Sequence, residues 1–278
     1  AYHTSMKAYE AVINLEKNMV KKIFITGSTD GIGLETARIL VRKGNHVLVH
    51  GRNPEKLSKV TNELSKLGTV ESYTADLSDL NAVRLLAKAI TEKHNHLDVL
   101  INNAGVLKAP NTITVNNLDI RFAVNTIAPY LLTKKLLPLL SNHARIINVC
   151  SAAQSPVNLN ALSGEIKQSD AMIAYSQSKL AIIMWSYSMG KSLGNNGPLI
   201  VSVNPGSLLG SKMVKEGFGI IGKDILIGAD ILVRASLEEN FLDASSKYFD
   251  NDLGKFSSPY PDALDLHKCE KLTLTIED

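Results

Sequence analysis

Two cysteines, Cys150 and Cys269, are all the thiol chemistry that the 278-residue sequence offers. They lie far apart and no Asn-x-Ser/Thr sequon accompanies them, so neither a disulfide framework nor a secretory route is indicated, and a cytoplasmic, reducing setting is expected. Long apolar runs are missing too. The most apolar helical stretch, Tyr130 to Leu140, is interrupted by Lys134, Lys135 and Pro138, well short of the roughly 18 to 20 apolar residues that cross a bilayer, and no membrane span is expected. Charge of one sign is scarce: 30 basic side chains are scattered among 27 acidic ones for a net charge of +3. A nucleic-acid binder gathers Lys and Arg on one stripe, so no nucleic-acid partner is expected. No Pro/Gly/Ser linker, internal repeat or low-complexity tract divides the chain. With 45% hydrophobic and 21% charged residues, the composition is that of one globular domain with a substantial core.

From Lys22 onward, short β-branched or aliphatic runs alternate with longer segments of helical spacing, the signature of βαβ units and a parallel sheet. Strands are predicted at residues 22–26, 46–50, 69–74, 97–102, 144–150, 199–204 and 247–249. Several are apolar throughout, as strands covered on both faces should be. Helices are predicted at 32–43, 55–67, 80–94, 117–140, 171–193 and about 222–238, with Gly44 and Gly68 placed to end two of them. Residues 262–276 read as a last helix and tail. Met19-Val20-Lys21-Lys22 reads as a start just ahead of the first strand, so residues 1–18 are set aside as a leader or added helix, and residues 19–278 are expected to form a single domain.

Directly after the first strand stands Thr26-Gly27-Ser28-Thr29-Asp30-Gly31-Ile32-Gly33. Glycine is needed in such a turn because a side chain would block backbone approach to a pyrophosphate, and the helix N–H groups must face the anion. A glycine triplet alone is weak; its position between a strand and an amphipathic helix gives it weight. With its G-x-x-x-G-x-G spacing, Asp76-Leu77 after the third strand and Asn102-Asn103-Ala104-Gly105 after the fourth, the chain resembles the short-chain dehydrogenase/reductase family across residues 20–265. The resemblance implies a doubly wound Rossmann-type α/β domain, with a mostly parallel seven-stranded sheet of order 3-2-1-4-5-6-7 and helices on both faces. It also implies that Gly27, Ser28, Thr29, Gly31, Ile32, Gly33, Asp76, Leu77, Asn103, Ala104 and Gly105 line a nicotinamide dinucleotide.

The end of the second strand, His50-Gly51-Arg52-Asn53, carries no acid before Glu55. A carboxylate there would accept from a free ribose 2′-hydroxyl, whereas Arg52 offers a planar charged fork to a 2′-phosphate. Arg52 and Asn53 therefore favour NADP(H), with NAD(H) the alternative and a solvated surface arginine the blander reading. Asp30, inside the glycine loop, runs against that preference.

Tyr175-Ser176-Gln177-Ser178-Lys179 lies on the predicted helix 171–193, and its i, i+4 spacing puts phenol and ammonium on one face. The ammonium is expected to favour the phenolate and bring the tyrosine below its ordinary value near 10. By itself Tyr-x-x-x-Lys is most often an exposed helix pair. Ser151 follows the fifth strand and emerges at the sheet edge where ligands bind, or else caps the next turn. The resemblance carries over a catalytic tetrad of Asn125, Ser151, Tyr175 and Lys179. It implies that Tyr175 moves a proton, Ser151 hydrogen-bonds the reacting oxygen, Lys179 tunes Tyr175 and grips the nicotinamide ribose, and Asn125 holds a relay water. The activity so implied is reversible hydride transfer between nicotinamide and a small-molecule alcohol or carbonyl substrate.

The long stretch between Ser151 and Tyr175, carrying Pro156, Asn158, Leu159 and Leu162, resembles the branch containing retinol dehydrogenases, the WW-domain oxidoreductase and protochlorophyllide reductases, which implies an apolar substrate. Pro205-Gly206-Ser207 is the turn expected beside the nicotinamide, although the family's threonine just after it is missing. The loop 206–222, with Leu208, Leu209, Met213 and Phe218 forming its inner surface, reads as a substrate lid. Relatives form homodimers or homotetramers through helices matching 117–140 and 171–193, and some members of the branch are monomeric or membrane-associated. A catalytically silent NADP(H)-binding sensor or scaffold is the alternative, against which Tyr175 and Lys179 both argue. A sugar-nucleotide epimerase or dehydratase would need a larger C-terminal domain. No metal site is expected, since His94-Asn95-His96 reads as a solvated helix end, and Cys150 and Trp185 read as packing residues.

Overall fold

Ile23, Phe24, Ile25, Val47, Leu48 and Val49 are all fully buried, so the strands that carry them need cover on both faces. A computed structural model shows how this is met; it describes residues 19–278, and the leader expected at 1–18 lies outside the described residues. Strands β1 (Lys22–Ile25), β2 (His46–Gly51), β3 (Val70–Thr74), β4 (Leu97–Asn102), β5 (Leu140–Val149), β6 (Leu199–Asn204) and β7 (Tyr248–Asp250) run parallel. The helices are α1 (Gly31–Arg42), α2 (Pro54–Ser65), α3 (Leu80–Lys93), α4 (Ile120–Phe122), α5 (Ala128–Leu136), α6 (Leu159–Leu162), α7 (Ala171–Leu193), α8 (Lys212–Phe218), α9 (Leu226–Leu237) and α10 (Leu266–Glu277). Leu40 of α1, Leu64 of α2 and Ile231 of α9 pack on one face of the sheet. Ile90 of α3 and Leu132 of α5 pack on the other, with Trp185 of α7 in a neighbouring cluster.

The sheet order is β3-β2-β1-β4-β5-β6-β7 followed by an eighth strand, β8 (Lys255–Ser257), antiparallel to β7. The order read from the sequence holds, and the strand count is corrected from seven to eight. A turn through Gly254, at φ 67°, brings Phe256 opposite Phe249, and both rings meet Phe241. Lys255-Phe256-Ser257 holds a single apolar residue, which leaves no run to mark a strand in advance.

Two predicted helices are also redrawn. The one expected at 117–140 begins at Ile120, capped by the Asp119 side chain, widens into a π turn at Ala123–Ile127 and ends α-helically at Leu136, where Leu137–Leu139 tighten into a 3-10 turn around Pro138. Proline has no N–H to continue the ladder, and Leu140 already belongs to β5. The helix expected at about 222–238 is α9, starting later at Leu226, and a separate short helix, α8, stands within the segment read as a loop, the two divided by Gly219 and Gly222 at φ 69° and 83°.

The predicted C-terminal helix is present as α10. It lies along α7 with Cys269 and Leu272 buried, a contact between Ser188 and Thr273 hydroxyls at 3.1 Å and the Tyr130 hydroxyl donating to Glu277. Part of the α5–α7 surface expected to meet another subunit is therefore covered by the chain itself. Among the described residues no helix is long and apolar enough to cross a membrane. The strand order reverses direction between β1 and β4, and the crevice past their C-terminal ends is where the expected site residues gather.

Candidate active site

The glycine loop after β1 is shaped by close backbone contact. A Cβ at Gly27, whose φ is 62°, would lie 2.8 Å from Ala104 Cα, and one at Gly33 would lie 2.3 Å from Gly27 O and 2.4 Å from Asn103 Nδ2. Both positions exclude any side chain, and α1 is drawn tightly against the end of β1. Asn103 donates through Nδ2 to the carbonyls of Thr26 and Gly27 at 3.1 and 3.0 Å, while the N–H groups of Asn103 and Ala104 both donate to Thr26 Oγ1 at 3.1 Å. Asp30 caps α1, accepting from Gly31 N at 2.8 Å. At that helix end the amides of Ile32 and Gly33 have no intrahelical acceptor, which is the arrangement that receives a pyrophosphate.

Not every residue expected at the cofactor faces the crevice. Ser28 is buried and turned inward: its hydroxyl donates to Ile25 O at 2.9 Å and accepts from His50 N at 2.8 Å, and its own N–H donates to His50 O. Asn53 spends its side chain capping α2, accepting from Lys56 N at 2.9 Å. Thr29 lies against Gly51, where a Cβ would meet Thr29 Cγ2 at 2.5 Å. Arg52 is exposed and has no ion-pair partner among the described residues. Asp76 is exposed and accepts from the N–H and hydroxyl of Ser78, while Leu77 is buried beneath it.

The sequence reading missed three residues that build this end: Thr26, Lys56 and above all His50. The His50 ring accepts the Gly27 N–H at Nδ1 and meets Ala75 O through Nε2, each at 3.0 Å. A histidine directly after the apolar run Val47–Val49 was the available signal.

The tetrad residues converge past β4 and β5. Lys179 is buried, and its Nζ donates to Val149 O at 3.0 Å, at the last residue of β5. It lies 5.8 Å from the centre of the Tyr175 ring, one turn earlier on α7. Ser151 accepts from Ala153 N at 3.1 Å and acts on the Tyr175 phenol by favouring its ionised form. Asn125 sits within the π turn, bonded to Val106 and Ser178. Gly105 marks the meeting point: a Cβ there would lie 3.5 Å from both Asn125 Oδ1 and Lys179 Nζ.

Electrostatics at this point run opposite to the expectation of a lowered tyrosine. Crowding by protein pushes the Tyr175 phenol up to about 12, with the influence of Ser151 opposing only in part. Burial also pulls Lys179 down to about 8. For the resting phenol, desolvation outweighs the favourable spacing. Cys150, directly between the strand and Ser151, is a buried thiol pushed up to about 12 by the same cause.

The turn Pro205-Gly206-Ser207 is anchored from the β7–β8 turn: Ser207 N and Oγ donate to Asp252 at 2.9 and 2.5 Å, and Asn204 Nδ2 donates to Asp250 and Asp252. Beyond it the segment expected as a lid, with the residues just after it, approaches both the glycine loop and Gly105. Ile225 Cδ1 and Ser211 Cβ approach within 3.6 and 3.9 Å of a Cβ built on Gly31, and Met213 Cε lies 3.6 Å from one on Gly105. Leu209 is buried as expected, but Leu208 and Phe218 point to solvent rather than inward. In the stretch before Tyr175, Leu162 packs into the core and Leu159 against it, so neither is free to line a pocket.

Comparison with known proteins places this geometry among relatives. The family model for short chain dehydrogenase matches residues 21–218. Human retinol dehydrogenase 13 is 29% identical over 273 residues, an alignment covering 91% of this chain and 82% of that protein. The crystal structure of an uncharacterised protein from Mycobacterium paratuberculosis superposes with a TM-score of 0.73 at 26% identity, covering 92% of each chain. A metagenomic short-chain oxidoreductase solved in complex with NADP superposes with a TM-score of 0.61 at 29% identity, covering 81% of this chain and 94% of that one.

Proposed function

The chain belongs to the short-chain dehydrogenase family, and on that premise we propose that it interconverts an apolar alcohol and its carbonyl compound with NADP(H), Tyr175 carrying the proton. Family membership supports the oxidoreductase class; the substrate, the proton carrier and the choice of cofactor are the finer reading.

The glycine loop fits a dinucleotide, because Gly27 and Gly33 let α1 close against the end of β1 and Ala104, which sets the first amides of α1 at the crevice where a pyrophosphate would lie. Gly27, Gly31, Ile32 and Gly33 would hold the pyrophosphate, Asp76 and Leu77 the adenine side, Arg52 the 2′-phosphate, and Gly105, Lys179 and Pro205-Gly206 the nicotinamide side. When bound, the cofactor supplies or takes up the hydride. The metagenomic oxidoreductase that carries NADP supports the phosphorylated form, as does the free Arg52 guanidinium.

The observation that carries the reading is the convergence of Tyr175 and Lys179, whose buried Nζ lies 5.8 Å from the centre of the phenol ring one turn earlier on α7, with Ser151 at the same end of the sheet. The phenol stays protonated at neutral pH and can donate at its oxygen to the alkoxide that develops in the reductive direction. Ser151 donates to the same substrate oxygen, and Lys179, charged below about 8, stabilises the phenolate left behind. Met213 and Leu107 supply an apolar wall beside Gly105 and Gly217, consistent with an apolar substrate of the kind that a retinol dehydrogenase relative takes.

The test is purified protein with NADPH and a panel of aliphatic and retinoid aldehydes. Turnover is expected, falling about a thousandfold in Tyr175→Phe while NADPH affinity is kept. Tyr175→Phe at the wild-type rate overturns the assignment, and NADPH binding without turnover of any carbonyl compound favours the silent sensor.

A further inference from the structure

Asp30 is the residue of the glycine loop that argues against a phosphate, yet it does not stand alone. Lys56, in the first turn of α2, reaches back so that Nζ lies 2.6 Å from Asp30 Oδ2, while Asp30 Oδ1 accepts from Gly31 N. Burial would raise the Asp30 carboxyl, but the Lys56 and Gly31 bonds and the charges of Lys56 and Lys212 hold it below its ordinary value. Lys56 is fixed to the same corner as Arg52, because its N–H is bound by the side chain of Asn53, the residue after Arg52. Thr29 closes that corner against Gly51.

We propose that Lys56 is a second specificity-determining cation, which with Arg52 holds the 2′-phosphate of NADP(H), and that Asp30 is its resting counterion. The proposal rests on the NADP(H) reading above and adds a residue to it. Both members of the ion pair are about half exposed, at 48% and 56%, so the pair itself is weak and Lys56 is readily shared. An ammonium has three donors and can keep Asp30 while meeting a phosphate monoester, whose charge of about −1.5 to −2 attracts it more strongly than one carboxylate does. Without Lys56, Asp30 would face that phosphate with only the charge of Lys212 to offset it. NADH brings no phosphate to this corner and leaves the pair undisturbed.

The experiment is direct titration of the full chain with NADPH and with NADH, read by nucleotide fluorescence at two salt concentrations. In Lys56→Gln, NADPH affinity is expected to fall about tenfold with NADH affinity unchanged and a shallower salt dependence for NADPH. Lys56→Arg keeps the selectivity, and Asp30→Asn, which still caps Gly31, tightens NADPH alone by about threefold. Equal weakening of both cofactors in Lys56→Gln, or an unchanged NADPH/NADH ratio, overturns the proposal while leaving the NADP(H) reading intact. A wild-type chain that binds neither nucleotide, or prefers NADH, overturns both.

Discussion

Asn125 is joined to Val106 as one strand is to another, although only Val106 contributes its backbone: the Val106 N–H donates to Asn125 Oδ1 at 2.8 Å and Asn125 Nδ2 donates to Val106 O at 2.9 Å. The same Nδ2 reaches Ser178 Oγ at 3.0 Å, and that hydroxyl donates to the carbonyl of Tyr175 at 2.7 Å. One carboxamide thus ties the segment after β4 to the helix turn that presents Tyr175. Asn125→Ala leaves these groups without partners and is expected to cost about 2 to 3 kcal/mol, a fall in Tm of roughly 4 to 10 °C. Asn125→Asp keeps the acceptor but sets a carboxylate against the Val106 carbonyl, and it too is expected to destabilise. Thermal melts check both; an unchanged Tm in Asn125→Ala would contradict the structural role.

The lowered Lys179 makes the reductive rate depend on pH. As pH rises through about 8 the ammonium loses its proton, and the phenolate that Tyr175 becomes on donating loses its stabilising charge. Reductive kcat/KM is therefore expected to decline above that pH. Lys179→Met is expected to lose the inflection together with about a hundredfold of rate. A wild-type profile flat through pH 8 would remove Lys179 from proton transfer.

Acid should loosen the glycine loop through His50. With Nδ1 accepting from Gly27 and Nε2 donating to Ala75, the ring must be neutral, and burial pulls it from 6.5 down to about 4. Between those values the unfolded chain binds a proton that the folded chain refuses. Stability from this group is thus complete above pH 6.5 and is lost as pH falls toward 4, by roughly 3 kcal/mol in all. Urea unfolding across that window checks the slope, and His50→Gln is expected to flatten it.

The parallel strands were legible because Ile23–Ile25 and Val47–Val49 are apolar on both faces, a pattern that only a doubly covered strand shows. Helix ends were less so. Hydrophobic spacing runs unbroken through Asn117 to Leu140, but Asp119 caps and Pro138 stops, and the π turn around Asn125 leaves no mark in the periodicity. At the site, the glycine spacing and the Tyr175–Lys179 interval identified where chemistry would gather. They could not say that Ser28 turns inward or that Asn53 caps α2, since both depend on partners distant in sequence. The direction of the Tyr175 shift was misjudged for a related reason: the sequence displays the neighbouring charge but not the protein mass that surrounds it.

The short hairpin after β7 also bears on how molecules meet in a crowded solution. A row of unsatisfied backbone amides along an outermost strand is the template on which neighbouring chains stack into aggregates. Here that rim is shortened to Lys255-Phe256-Ser257, with a positive charge at its start, the aromatic ring turned onto Phe241 and Phe249, and Pro259 two residues on. At this edge the molecule thus ends its own hydrogen-bonded ribbon before another can extend it.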